Sequence, residues 1–201
     1  MKARRSASRA AAIGIGGAAL CLNGCAAAAR STEMMATPDA SSHVSAGDRH
    51  YHQIFLRDVE GGHKTAALSR SNVSNVDLRA ALDSSLRITG YGVGDSTAAS
   101  VELIASLVRL DRPWLGFTST VTSIIRYKAV SRETRKPVFE ESIEATGSAT
   151  VSDAFIAAAR LRIANERSIR ANIECFLSQF GRHIATRPEG SDAQITTCKS
   201  D

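Results

Sequence analysis

The side chains in this chain that could do chemistry are four cysteines (Cys21, Cys25, Cys175 and Cys198), five histidines and a few carboxylates and hydroxyls. Their spacing decides which chemistry is open to them. His50 and His52 would point the same way on a strand, with His43 or His63 as a third ligand, but no cysteine or carboxylate stands at matching spacing for zinc. The glycine-rich Gly90-Tyr91-Gly92-Val93-Gly94 follows a helical pattern and precedes a strand pattern. That order reverses the strand-loop-helix arrangement that turns helix N-termini toward phosphate, so the segment reads as a turn. No serine sits in a Gly-x-Ser-x-Gly elbow. Glu141 falls by parity among Phe139 and Ile143 on an apolar face, where an unpaired carboxylate is costly, so a place at the sheet rim or a basic partner is expected. These readings predict a protein that is not an enzyme and carries no metal or other cofactor.

The thiols remain. Leu22-Asn23-Gly24-Cys25 closes a 13-residue apolar stretch, Ala10 to Leu22, which follows the basic residues Lys2, Arg4, Arg5 and Arg9. A stretch of that length suits a secretory signal, whereas a membrane-spanning helix needs roughly 20 apolar residues. The small Gly24 before the cysteine resembles the lipobox of bacterial lipoproteins. That resemblance implies diacylglycerol on the Cys25 thiol, cleavage before it, and a mature N-terminus carrying three acyl chains. Asn23 is an uncommon residue within that motif, and Cys21 competes less well because Ala18 stands where leucine is usual. Ordinary cleavage near Ala27 to Ala29 is the alternative. Ala26, rather than Asp, follows Cys25, which by the same resemblance implies export to the outer membrane. Cys175 and Cys198 would then lie where disulfides persist. They could join the end of the chain to the last helix, a bridge worth about 2–3 kcal/mol by loop-closure entropy, or Cys175 could be a packed thiol beside Phe176.

Removal of residues 1–24 takes away Lys2, Arg4, Arg5 and Arg9 and no acid, so the formal charge falls from +5 to +1. A nearly neutral chain gives no reason to expect nucleic acid as partner. What remains of the 201 residues suffices for one domain. The expected organisation is a signal over 1–24, a lipidated N-terminus and flexible tether over 25–48, one domain over 49–182 and a mobile tail over 183–201. The tether composition would let the body stand off a membrane by roughly 25–30 Å.

Periodicity sketches the body. Tyr51 to Arg57 alternates as a short strand and Gly61-Gly62 ends it. Ser74 with Asp77 forms an N-terminal capping pair, Val73 and Leu78 a hydrophobic staple, and Gly90 a stop, around a helix whose Leu78, Ala81, Leu82 and Leu86 share one face. Three strands follow: Val101, Leu103, Ala105 and Leu107; then Phe117, Val121, Ile125 and Tyr127; then Phe139, Ile143 and Ala145. Polar residues on their opposite faces imply burial on one side only. Trp114, between the first two of these strands, either anchors a partner or lipid or folds back over the core edge. A long helix over Ser152 to Phe180 closes the domain, with Phe155, Ile169, Ile173, Phe176 and Phe180 inward. Its other side, Arg162, Glu166, Arg170 and Glu174, reads as a solvated face of i,i+4 ion pairs.

The fold predicted is a two-layer α+β domain: strand, helix, three-strand meander, helix, with helices on one face of a mostly antiparallel sheet. Cys25 after its signal, Asp77-Leu78-Arg79-Ala80-Ala81-Leu82 leading to Gly90-Tyr91, the meander and the final helix resemble the YajG group of bacterial envelope lipoproteins over about residues 50–181. In broader architecture the chain is also similar to the lipopolysaccharide-assembly lipoprotein. The resemblance implies a lipid-anchored envelope protein and transfers no site residue; the favoured reading is a protein facing the periplasm with an envelope protein as partner, an accessory or scaffold in envelope assembly. A periplasmic module binding a small or lipidic ligand between helices and sheet is the other reading.

Overall fold

The computed structural model describes residues 27–37, 43–64, 72–112, 117–186 and 194–198; Cys21, Cys25 and Trp114 lie outside them. Five strands form one sheet in sequence order: β1 (Ile54–Glu60), β2 (Val101–Asp111), β3 (Ser119–Ser131), β4 (Pro137–Ala149) and β5 (Gln194–Cys198). Among the described residues three α-helices accompany them, α1 (Ser31–Met34), α2 (Asn75–Ile88) and α3 (Ala157–Thr186), with one 3-10 turn at Ser96–Ala98 before β2. The β2-β3-β4 meander is antiparallel, while β1 pairs with β2, and β4 with β5, in parallel. Both parallel pairs are joined through a helix, α2 in one and α3 in the other. β1 and β4 run in the same direction and each crossover steps the same way across the sheet. The right-handed rule for such crossovers therefore puts both helices on the same face.

That face is the core. Leu103, Ala105, Ile125, Tyr127, Ala129, Phe139 and Ile143 pack with Leu78, Leu82 and Leu86 of α2 and Ile169, Ile173, Phe176 and Phe180 of α3. The local signals that start and stop α2 are in place. Ser74 Oγ accepts the Asp77 amide at 3.1 Å, Val73 and Leu78 are both buried, and Gly90 turns the chain at φ +84°. A β-carbon on Gly147 of β4 would lie 2.2 Å from the Ser168 nitrogen, so this glycine lets α3 come down onto the sheet.

The opposite face of the sheet carries charge ladders. Glu102 meets Arg57 at 3.1 Å and Arg132 at 3.4 Å, and Glu140 meets Lys128 at 3.2 Å and also Arg126. Side-chain hydrogen bonds from Arg126 and Lys128, opposed by desolvation as the largest single effect, hold the Glu140 carboxyl below its ordinary value.

Several expectations are corrected. The first strand begins at Ile54, not Tyr51, and His52 sits in a turn at φ 52° with its ring Nδ1 2.8 Å from the Gly92 carbonyl oxygen. His50 and His52 therefore do not share a strand face. Phe117 and Phe155 are 83% and 90% exposed instead of buried, because β3 starts at Ser119 and α3 at Ala157. The tail reading fails for residues 194–198, which pair with Glu141–Ala145, and α3 continues to Thr186. The tether reading fails for residues 29–37, where Ala29, Met34 and Ala36 are buried in the core and the Arg30, Ala36 and Thr37 amides bond to the body.

Candidate functional site

The face of α3 expected to be solvated is the seat of the chain that follows Cys25. Glu166 Oε1 accepts the Arg30 backbone amide at 3.0 Å and lies 3.3 Å from the Arg30 guanidinium. Eight residues along α3, Glu174 Oε1 accepts the Thr37 amide at 2.8 Å. Arg170, between them, lies 3.7 Å from Glu33, and Arg162 lies 3.7 Å from Glu166. On the α2 side, the Ala36 amide donates to Ser85 Oγ at 2.9 Å. Ala29, Met34 and Ala36 are buried in the main core. A carboxylate accepting a backbone amide satisfies an otherwise orphaned donor, and in this setting such a bond is shorter and stronger than a neutral one. Four charges spaced i,i+4 thus serve as two carboxylate acceptors and two flanking guanidiniums for a strip of main chain. Glu166, 3% exposed, is the centre of that seam.

The strip has a direction. From Val44, whose amide donates to the Thr89 carbonyl at the end of α2, the chain runs back through Thr37 at Glu174 to Arg30 at Glu166. It travels about 12 Å along α3 toward that helix's N-terminus, from the rise of 1.5 Å per residue. At its far end the Ala29 amide donates to the Asn72 carbonyl, and the Asn72 side chain accepts from Arg112 at the end of β2.

A second polar group lies under α3. The Tyr127 hydroxyl donates to Asn172 Oδ1 at 3.0 Å, and Asn172 Nδ2 donates to the carbonyls of Ile143 at 2.8 Å and Ser123 at 3.2 Å. Ser168 Oγ stands 2.8 Å from Ser123 Oγ and 3.1 Å from the Ala145 carbonyl oxygen. All four residues are fully buried, and Tyr127 stacks on Phe176 at 4.1 Å. Burial drives the Tyr127 hydroxyl well above its ordinary pKa, so it stays a donor. This group holds α3 in register with β3 and β4, and it contains no base or acid placed to activate a nucleophile.

The remaining candidates resolve individually. Glu141 sits at the β4–β5 rim, where its carboxylate accepts from the Thr196 hydroxyl at 3.2 Å. No cluster of three metal-ligating side chains occurs among the described residues. Cys175 of α3 and Cys198 of β5 are joined by a disulfide with their Cα atoms 6.2 Å apart, which ties the last strand to the last helix. Sequence reasoning missed Ser123, Ser168 and Asn172, whose only signal was polar residues at inward positions of otherwise apolar patterns.

Fold and site together define a two-layer α+β domain with a meander between two parallel crossovers and its N-terminal strip seated on both helices. No family model matches the sequence and no curated protein matches it, so the likeness to the YajG group rests on element order. Solved structures do match. A Xanthomonas campestris protein of the DUF330 family is 8% identical, with a TM-score of 0.54 over 75% of this chain and 92% of its own. A hypothetical protein of Chlamydia trachomatis is 9% identical, with a TM-score of 0.46 over 68% and 99%. A candidate lipoprotein of Caulobacter crescentus is 15% identical, with a TM-score of 0.42 over 54% and 80%. The first is a likeness of fold alone, and the two lower scores carry no argument.

Proposed function

We propose that this chain is a bacterial envelope lipoprotein, anchored through acyl chains on Cys25 on the periplasmic side of the outer membrane. It acts there without catalysis, as an accessory or scaffold for a protein partner in envelope assembly. The observation that carries this reading is the seam on α3. Ala29 and Arg30, four and five residues after Cys25, are bonded to the body, so an anchor at that cysteine would hold the domain in one orientation. A body so oriented presents a constant surface, and the bare sheet face with its Arg57-Glu102-Arg132 and Arg126-Glu140-Lys128 ladders is the surface offered. The ligand-binding alternative needs space between helices and sheet, and that layer is filled by Leu82, Leu103, Ile125, Tyr127, Phe139 and Phe176.

The anchor is tested by labelled palmitate and by the mass of the N-terminal peptide of protein taken from membranes. Cys25→Ser should abolish incorporation and release the protein from the membrane fraction; label retained by the variant would refute the assignment. Crosslinking from solubilised envelope should then give a stoichiometric protein partner that is lost when Glu102 and Glu140 are both reversed to Lys. Retention of the partner by that variant would exclude the sheet face as the interface.

A further inference from the structure

One end of the domain is apolar on its outside. Phe117, Val151, Phe155 and Ile156 are 83%, 47%, 90% and 66% exposed. Phe117 and Val151 flank the final rung of the β3–β4 ladder, Ser119 opposite Ala149, and Phe155 and Ile156 immediately precede α3. Four large apolar side chains turned outward at one tip are not the scattered exposure normal for a surface.

Two ion pairs and one guanidinium that caps main-chain carbonyls stand around this tip. Arg109 pairs with Asp111 at 2.8 Å and Arg167 with Asp153 at 2.6 Å. Arg160 donates to the carbonyls of Ala154 at 3.0 Å and Phe155 at 2.6 Å, so the turn that turns Phe155 outward has its main-chain acceptors satisfied from within. Matched charges and satisfied carbonyls lower the cost of moving a surface out of water.

The N-terminal strip leads to the same end. It runs along α3 toward the helix N-terminus and reaches Ala29 beside Asn72 and Arg112, where β2 enters the tip. Nine residues of α3, about 13 Å, separate Glu166 from Ala157. Cys25 precedes Ala29 by four residues, and extended chain spans at most about 14 Å over that distance. Cys25 can thus stand level with the apolar tip, whereas the opposite end of the domain, where α2 finishes at Ile88, is beyond its reach.

We propose that Phe117, Val151, Phe155 and Ile156 form a membrane-inserting tip that enters the same lipid surface as the acyl chains of Cys25. The inference rests on the anchor reading above. Together the tip and the anchor give two points of attachment, so the domain stands upright on the membrane with the sheet face turned to the side.

The test uses the full chain purified from membranes with its anchor, carrying Phe155→Cys, Phe117→Cys or, at the opposite end, Ile88→Cys. Each variant is labelled with an environment-sensitive fluorophore and reconstituted into vesicles of phosphatidylethanolamine and phosphatidylglycerol containing nitroxide-bearing lipid. All three positions are exposed, so substitution leaves the core intact. The expected result is a blue shift and quenching by lipid nitroxide at positions 117 and 155, with position 88 unaffected. Lipidated protein whose 117 and 155 probes stay unquenched overturns the tip and leaves the anchor standing. An unmodified Cys25 mass in the same preparation overturns both. Probes that shift to the blue without lipid, in protein that sediments as a dimer, assign the tip to a second copy and also overturn the proposal.

Discussion

Replacing Glu166 by Ala is the sharpest probe of the seam between the N-terminal strip and α3. In the native protein Glu166, almost fully buried, accepts the Arg30 amide at 3.0 Å and pairs with the half-exposed Arg30 guanidinium at 3.3 Å. A hydrogen bond to a charged group contributes about 1.5–3 kcal/mol. The guanidinium, 54% exposed, adds no more than about 1 kcal/mol after solvent screening. The strip should therefore lose about 2–3 kcal/mol of docking free energy, which corresponds to about 30–150-fold more frequent local opening at 1.4 kcal/mol per decade. Amide hydrogen exchange reads this directly, because the Arg30, Ala36 and Thr37 amides are each bonded to a side chain of the body. Exchange across 29–37 should accelerate by that factor while amides of β3 and β4 are unchanged. Glu166→Gln should have a smaller effect, since its side-chain oxygen can still accept the Arg30 amide. Unprotected exchange of 29–37 in the native protein, or no acceleration in Glu166→Ala, would refute the argument that this face of α3 is a seat for the chain.

Other expectations follow from the same geometry. Met34→Ala should loosen the same strip, by about 2–5 kcal/mol for a fully buried methionine, and produce the same exchange pattern without touching the ion pairs. Asn172→Ala, which strands the Tyr127 hydroxyl and two carbonyls, should lower global stability by about 2–4 kcal/mol in urea melts. Reduction of Cys175–Cys198, separated by 23 residues, should cost about 3 kcal/mol, and mass after alkylation should show both thiols blocked before reduction. The Asp153 carboxyl is held at about 2, chiefly by the hydrogen bond from Arg167 and then by the Thr150 amide. A depressed carboxylate stabilises fully above its unfolded value and loses that contribution as pH falls through the folded one. The α3 entry turn should therefore loosen between about pH 4 and 2, seen as a carboxyl chemical-shift titration that Arg167→Gln moves upward.

Much of the body could be read locally because its signals are local. The Ser74–Asp77 cap, the Val73–Leu78 staple and Gly90 are decided within one helix and its flanks. Alternation in β2, β3 and β4 identifies the buried face because period two maps residues to faces without reference to anything distant. The seam escaped that logic. Arg162, Glu166, Arg170 and Glu174 have the pattern of a solvated helix face, and only a strip 136 residues earlier in the chain turns Glu166 into a buried acceptor. Local pattern likewise left β5 as tail, since five residues rich in polar side chains become a strand only where the β4 edge offers a ladder.

The sequence by itself determined the elements and their apolar faces, the α+β class, and a cysteine pair able to bridge helix and tail. It also placed an apolar stretch and Gly24-Cys25 at the N-terminus. The tertiary structure alone decided which end of the domain the strip from Thr37 back to Ala29 approaches, and that Phe117 and Phe155 stand outward rather than in the core. The reason is physical. Propensity, capping and alternation act over a few residues, whereas the path of the strip along α3 and the exposure of the tip depend on contacts between segments far apart in sequence.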